Sequence, residues 1–320
     1  MDWTTRSNAL FGILNKQKAL PFILIMMVGM LFPETAFYTP YNLLDMLNSS
    51  SILLILAFGV TLTIIAGGCD LSIGGILVVS GILSIKLQSV MPMWPAIGCA
   101  IVFGILVGFV NGFLVVHQRT EPFIITLGMG LLLTGVAQQL TDAHPIPSTN
   151  PDFMMISNGY FYGVPNLVII TIVCFLLSAW LMRYTQFGRN LYAIGGDYDV
   201  ARYSGIDVIR TKWLAFMISG GTAGLAGFLL SSKLNTGSAI YGDLTALVVN
   251  CGVVVGGTSF AGGIGGIPQS ALGLLAFGML DNVMNMLQIT SYIQILLKGS
   301  IIVAIIWLDC FAQKRRRELV

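Results

Sequence analysis

Charge is what this chain lacks most. Only 9% of its 320 residues are Asp, Glu, Lys or Arg, against roughly 25% in a soluble domain, while 56% are hydrophobic and the mean hydropathy is +0.85. That balance describes a polytopic membrane protein. Histidine is scarcer still: His117 and His144 stand in links between apolar runs, assigned below to opposite sides of the membrane, so an intramembrane Ser/His hydrolase has no support. Five cysteines, Cys69, Cys99, Cys174, Cys251 and Cys310, are odd in number and unclustered. They suit neither a disulfide framework nor a zinc site, and are expected as free thiols packing like small apolar residues. The dipeptide Gly-Lys never occurs, so an ordinary P-loop cannot form, and any process driven by ATP would need ATP and Mg on another subunit. No cofactor, metal or nucleic acid is expected for this chain itself.

What is present is a series of apolar runs. Spans of about 20 residues cross a bilayer, with shorter ones allowed where helices are broken or enclosed. Ten are expected: Leu20 to Phe37, Ser51 to Ala66, Leu71 to Met91, Trp94 to Val116, Phe123 to Leu140, Pro165 to Met182, Trp213 to Leu230, Leu244 to Val255, Gln269 to Leu287 and Tyr292 to Leu308. The fold class is thus an all-α polytopic membrane protein of about ten transmembrane helices, a single transmembrane domain over residues 1–320. Thirteen of the sixteen Lys and Arg fall at Arg6/Lys16/Lys18, Arg119, Arg183 to Lys212 and Lys314 to Arg317. The positive-inside rule puts those places in the cytoplasm: an N-terminus 1–19, a segment 183–212, a basic tail 309–320. Met1 to Leu20 carries charges around a short apolar patch without a small-residue cleavage site, so the first span is expected to be retained. Tyr38 to Asn48 suits an amphipathic helix on the outer surface. The outer link Asp142 to Gly163, long and without Lys or Arg, suits either docking of an outside partner or a cap over the bundle.

Two of the runs end in matching glycine-rich breaks. Gly67-Gly68-Cys69-Asp70-Leu71-Ser72-Ile73-Gly74 aligns without a gap on Gly256-Gly257-Thr258-Ser259-Phe260-Ala261-Gly262-Gly263. Corresponding breaks in two halves of a membrane chain point to a transport pathway, because freed backbone groups are tolerated at membrane depth only inside protein or a cavity. Close helix packing is the structural alternative for Gly67, Gly68, Gly74, Gly256, Gly257 and Gly263.

The candidate pathway residues are the polar ones within spans. Asp70 either caps the helix that follows or lines the route. Asn111 either faces the route or bonds another helix. Asp281, Asn282 and Asn285 place polar groups on the ninth span, with i and i+4 on one face. Lys298 is expected to pair with an acid, and Lys86 to snorkel. On the inner segment, Gly188 is expected to break the chain and Gly195-Gly196 to turn it. Asp197-Tyr198-Asp199 caps a short helix through Val200, Ala201, Arg202, Tyr203 and Ser204 that stops at Gly205. Such a helix either meets an engine protein or lies on lipid headgroups.

These residues carry a family likeness. Gly68 to Gly74, Pro122 to Gly128, Phe187 to Gly196, Ala201 to Ile206 and Gly256 to Gly263 occur in an order that resembles the ribose/galactoside/xylose-type permeases of bacterial ABC importers, over about Asn42 to Asp309. The resemblance implies a multi-pass inner-membrane subunit with both termini cytoplasmic, paired with a second copy or a similar permease. It implies two ATP-binding subunits inside, a solute-binding protein outside, and coupling through Asp197 to Gly205. Relatives carry a Glu-Leu-Asp-Ala-type run where Ala246 to Asn250 stands, Ile at Cys69 and Asn at Asp281, so a nucleoside or another small polar solute is the alternative cargo. An ion-coupled carrier using Asp70, Asp281 and Lys298 is the alternative from another class.

Overall fold

The computed structural model describes residues 36–118, 120–242 and 244–317. Within them the chain is almost wholly helical. The helices are α1 (Pro40–Ile65), α2 (Ile73–Lys86), α3 (Met93–His117), α4 (Pro122–Thr141), α5 (Pro151–Asn158), α6 (Asn166–Tyr184), α7 (Gln186–Gly196), α8 (Tyr198–Tyr203), α9 (Val208–Leu234), α10 (Thr245–Val255), α11 (Ile267–Met286) and α12 (Ser291–Arg317). Four two-residue strands make two small antiparallel pairs: β1 (Ile146–Pro147) with β4 (Thr236–Gly237), and β2 (Tyr160–Phe161) with β3 (Val164–Pro165). Of the described helices, α1, α3, α4, α6 and α9 are long and apolar enough to cross a membrane.

Helix starts follow local chemistry. Thr39 accepts the Asn42 amide at 3.3 Å ahead of Pro40, and Asn150 accepts the Asp152 amide at 3.0 Å ahead of Pro151. Each proline stands where its missing donor costs nothing. Asp197 accepts the Val200 amide at 2.9 Å, giving α8 its cap.

α1 and α2 form the centre. α1 is packed by α9, α11, α6 and α10, while α2 is packed by α9, α4 and α3. Their side chains, Ile55, Leu56, Leu62, Ile65, Ile76 and Ile82 among them, are fully enclosed. α4 and α6 lie outside, with large apolar residues such as Leu131 and Leu177 exposed. An outward apolar face of this extent is stable only away from water, so the exterior of this bundle is embedded in a membrane. α3 crosses α9 closely over a long stretch: a Cβ on Gly104 would stand 2.3 Å from the Gly220 carbonyl, and one on Gly108 2.2 Å from the Phe216 carbonyl. Small residues let the two backbones touch.

Several expectations need correction. Tyr38 to Asn48 is no separate surface helix: from Pro40 onward it is continuous with α1. Gly188 does not break the inner segment, and Gly195-Gly196 does not turn it, since α7 runs unbroken through all three. Lys86 is exposed at the end of α2, and its ammonium donates to the Leu140 carbonyl at the end of α4. The expected first span lies outside the described residues except for Ala36 and Phe37, which join a 3-10 turn, Ala36–Tyr38. The other nine expected spans fall on the helices α1, α2, α3, α4, α6, α9, α10, α11 and α12, with bounds that differ by up to a few turns.

Candidate functional site: two helix breaks joined by a short helix

α1 and α10 end in the same device. The Gly67 amide bonds the Ile64 carbonyl (2.9 Å) and the Gly68 amide bonds Thr63 (2.8 Å); the Gly257 amide bonds Val254 (2.8 Å) and the Thr258 amide bonds Val253 (3.3 Å). Gly67 has φ +75° and Gly257 φ +104°. These are Schellman ends, in which the residue after the cap must be left-handed and glycine alone takes that form without a steric cost. The gapless alignment is therefore off by one: Gly67 corresponds to Gly257, not Gly256, because the hydrogen-bond pattern, not the glycine pair, sets the register. Gly256 serves packing, since a Cβ there would lie 2.0 Å from the Gln269 carbonyl, and Gly74 likewise meets the Gly242 carbonyl at 2.5 Å. Gly68 has only ordinary contacts, with Phe216 and Pro122 at 3.4 Å.

Between α1 and α2 the chain is irregular, and surrounding helices satisfy its polar groups. Asp70 is fully buried. Its carboxylate accepts the Ser72 amide (3.0 Å), the Ser72 hydroxyl (2.6 Å) and the Ser219 hydroxyl from α9 (2.7 Å). The Asp70 carbonyl accepts from Asn250 on α10 (3.0 Å), and the Leu71 amide donates to Thr126 on α4 (3.0 Å). Asn111 on α3 donates to Ser72 (2.8 Å), which is the interhelical bond expected as its alternative. Asp70 is not the residue at the helix cap, which is Ser72; it makes a two-residue turn onto Ser72 instead. Four helices thus hold one loop, as irregular backbone inside a membrane requires.

The second break closes on itself through Ser259 to Ile264 (3.0 Å), and the Thr258, Ser270 and Thr61 hydroxyls link it to α1 (3.2 and 2.8 Å). Its Gly263 amide donates to the Ile65 carbonyl in the last turn of α1 (2.9 Å). The two breaks therefore touch.

A third element meets them at the same point. α7 ends at Gly195-Gly196, and a Cβ on Gly195 would stand 1.8 Å from the Ile65 carbonyl and 2.4 Å from the Gly263 amide. One on Gly262 would lie 2.9 Å from the Gly195 carbonyl and 3.1 Å from the Gly67 Cα. Tyr192, one turn earlier on α7, donates to the Gly265 carbonyl (2.9 Å). Burial raises its phenol above the ordinary tyrosine range. Gly195, Tyr192 and the Ile65 carbonyl were not singled out from the sequence as site residues; the signal available was the glycine pair closing the Phe187 to Gly196 block.

α8 continues directly from this junction. Ala201 is buried with Ile194 and Val208 in a small cluster that Ile206 completes. Val200, Arg202 and Tyr203 point outward, Tyr203 88% exposed. Gly205 has φ +82° and the Ile206 amide bonds the Ala201 carbonyl (3.2 Å), ending the helix as the sequence leads one to expect. Ser204 returns its hydroxyl to the Val200 carbonyl (2.8 Å).

The remaining candidates stand apart from this junction, on α11. Asp281 pairs with Lys298 of α12 at 2.7 Å, the ion pair expected for that lysine. Asn282 exchanges hydrogen bonds with Asn42 of α1 (3.0 and 2.9 Å), and Asn285 accepts from Gln294 (2.9 Å). The three polar groups thus divide among three partners. No group of three or more His, Cys, Asp or Glu able to hold a metal occurs among the described residues.

A membrane bundle of this kind, with two loop breaks clamped by one short helix that leads into an exposed one, has the form of a transporter's membrane subunit. The chain belongs to the family described as "Branched-chain amino acid transport system / permease component", which it matches over residues 42–306. It is 37% identical over 296 residues to the ribose import permease protein RbsC of Bacillus subtilis, covering 90% of each chain. It is 34% identical over 292 residues to the Haemophilus influenzae protein of that name, again 90% of each. It is 34% identical over 294 residues to the D-allose transport system permease protein AlsC of Escherichia coli, covering 91% of this chain and 90% of that one. No solved structure matches.

Proposed function

We propose that this chain is the membrane subunit of an ATP-driven importer for a monosaccharide of the ribose, galactose and xylose class. Relatives named for ribose and D-allose import, each matched over nine-tenths of its length, support that cargo. Separate subunits bind and hydrolyse ATP with Mg, a solute-binding protein delivers the sugar from outside, and a second copy or similar permease completes the pathway. Both termini and residues 183–212 face the cytoplasm, an orientation favoured by the thirteen basic residues on one assigned side. The reading has ten crossings, the first over Leu20 to Phe37 and the other nine on α1, α2, α3, α4, α6, α9, α10, α11 and α12.

The observation that carries the reading is the junction of α7 with both breaks. An engine can shift a membrane equilibrium only through contacts that differ between states. α8 offers Val200, Arg202 and Tyr203 to a partner, while its rigid neighbour α7 touches Ile65, Gly263 and Gly265. Movement of α8 is thereby delivered to α1 and to the loop before α11 together. Cargo passes where those helices part, and Asp70, Asn111, Asp281, Asn282 and Asn285 become available to it only as their present hydrogen bonds and ion pair open. Ion-coupled carriage would need Asp70, Asp281 or Lys298 free to change charge, and each is held by hydrogen bonds or by an ion pair.

The test is recovery of the ATP-binding subunit with the permease from solubilised membranes. Arg202→Glu with Tyr203→Ala is expected to weaken co-purification and lower uptake while the permease stays in the membrane. Full recovery with full uptake contradicts the role given to α8.

A further inference from the structure

Three consecutive aromatic residues, Tyr160, Phe161 and Tyr162, form the tip of the β2–β3 hairpin immediately before α6, and all three are exposed, Tyr162 by 93%. The register Tyr160 to Pro165 and Phe161 to Val164 leaves Tyr162-Gly163 as a two-residue turn with φ +48° and +82°. That turn favours Asn, Asp or Gly at its first position, and a tyrosine there is strained. The Phe161 and Tyr162 rings meet edge to face at 4.7 Å and face outward together.

The hairpin continues an apolar, membrane-embedded surface. Along α6, Ile172, Val173, Leu176, Leu177, Trp180 and Tyr184 are exposed on one helical face. At the far end, Trp180 and Tyr184 mark the edge of that apolar band, with the Arg183 guanidinium 5.6 Å from the Tyr184 ring. Aromatic side chains collect at both membrane boundaries, where a ring has an apolar body and a wet edge. α6 has 19 residues, about 28 Å at 1.5 Å per residue, which is the thickness of the hydrocarbon layer. Its other boundary therefore falls at Asn166, where the hairpin is. Asp152 is the single charged residue from Asn150 to Pro165, so the tip offers no charge for a protein partner to read.

We propose that the Tyr160–Tyr162 tip is a lipid anchor seated in the headgroup layer at the start of α6, holding α5 and the end of α9 at a fixed depth. Its occupant is phospholipid. The link to the bundle is direct: α5 is bound to α9 by the Ser157 hydroxyl on the Leu229 carbonyl (2.9 Å) and the Ser232 hydroxyl on the Phe153 carbonyl (2.6 Å).

The test places a benzophenone amino acid at Tyr162, with Leu176 and Asp152 as comparison positions, in the full chain reconstituted in nanodiscs of phosphatidylethanolamine and phosphatidylglycerol. After irradiation, peptide mass analysis is expected to find phospholipid adducts at positions 162 and 176 and at least tenfold fewer at 152. Adduct yield at 162 is expected to stay unchanged when excess solute-binding protein is added. Cross-linking of position 162 to that protein, or no lipid adduct there while 176 gives one, overturns the proposal.

Discussion

Replacing Gly195 by alanine tests the junction where it is tightest. The added carbon would stand 1.8 Å from the Ile65 carbonyl and 2.4 Å from the Gly263 amide, so α7 must retreat by about 1.5 Å to reach ordinary contact. Forcing one extra methyl into a packed contact costs about 1–3 kcal/mol, and the Gly263 hydrogen bond to Ile65 adds about 1 kcal/mol when it is lost. Alanine's better helix preference returns about 0.5–1 kcal/mol. The net is about 1–3 kcal/mol against the arrangement in which α7 clamps both breaks, enough to shift a two-state balance by about 5- to 150-fold. Gly196 is the internal control, because a Cβ there meets nothing within 4 Å and its backbone is helical. In proteoliposomes holding the permease, its ATP-binding subunit and the binding protein, Gly195→Ala is expected to cut sugar moved per ATP hydrolysed by at least fivefold, and Gly196→Ala to leave it unchanged. Equal coupling in the two variants would refute the claim that α7 drives the breaks through this contact.

Asp70→Leu is expected to abolish folded protein in detergent, because it strands the Ser72 amide and two serine hydroxyls in a buried site at about 1–3 kcal/mol each, whereas Asp70→Asn keeps the oxygen that accepts from Ser72, offers Ser219 an NH2 from which its hydroxyl can accept, and keeps most of the thermal stability. Asp281→Asn leaves Lys298 without its partner, and Lys298→Met added to it is expected to restore melting temperature, the double variant exceeding the single one. Asn282→Ala breaks the paired amides with Asn42 and should cost about 1–2 kcal/mol by denaturant titration. Tyr192→Phe removes the bond to Gly265, and the wild type is expected to lose stability relative to it as pH rises beyond the ordinary tyrosine value: a phenol whose pKa is raised on folding favours the folded state below that value and less above it.

Span positions were legible because apolar length and proline or glycine punctuation are local properties, and α3, α4 and α9 contain the spans so expected. The short α8 was legible for the same reason: Asp197 caps it and Gly205 ends it within nine residues. What the pattern could not give is which groups meet. Asp70 finds Ser219 from α9 and Asn250 finds Asp70 from α10, pairings that join residues 149 and 180 positions apart. The one-residue error between the breaks has a local cause: Gly256 and Gly257 look alike in sequence, and only the left-handed backbone at Gly257 tells them apart. Gly195 was legible as a glycine but not as a contact, because its partner is a backbone carbonyl of α1 and leaves no trace in side-chain chemistry.

The central claim is that this chain carries sugar only when an external ATPase drives it, and one uptake measurement addresses it directly. Labelled ribose is offered to proteoliposomes containing the chain alone, under an imposed proton or sodium gradient, and to proteoliposomes that also contain the ATP-binding subunit, with the binding protein outside and ATP with Mg enclosed. Uptake only in the second set, abolished when ATP is omitted, is the predicted result. Gradient-driven uptake by the chain alone would contradict it.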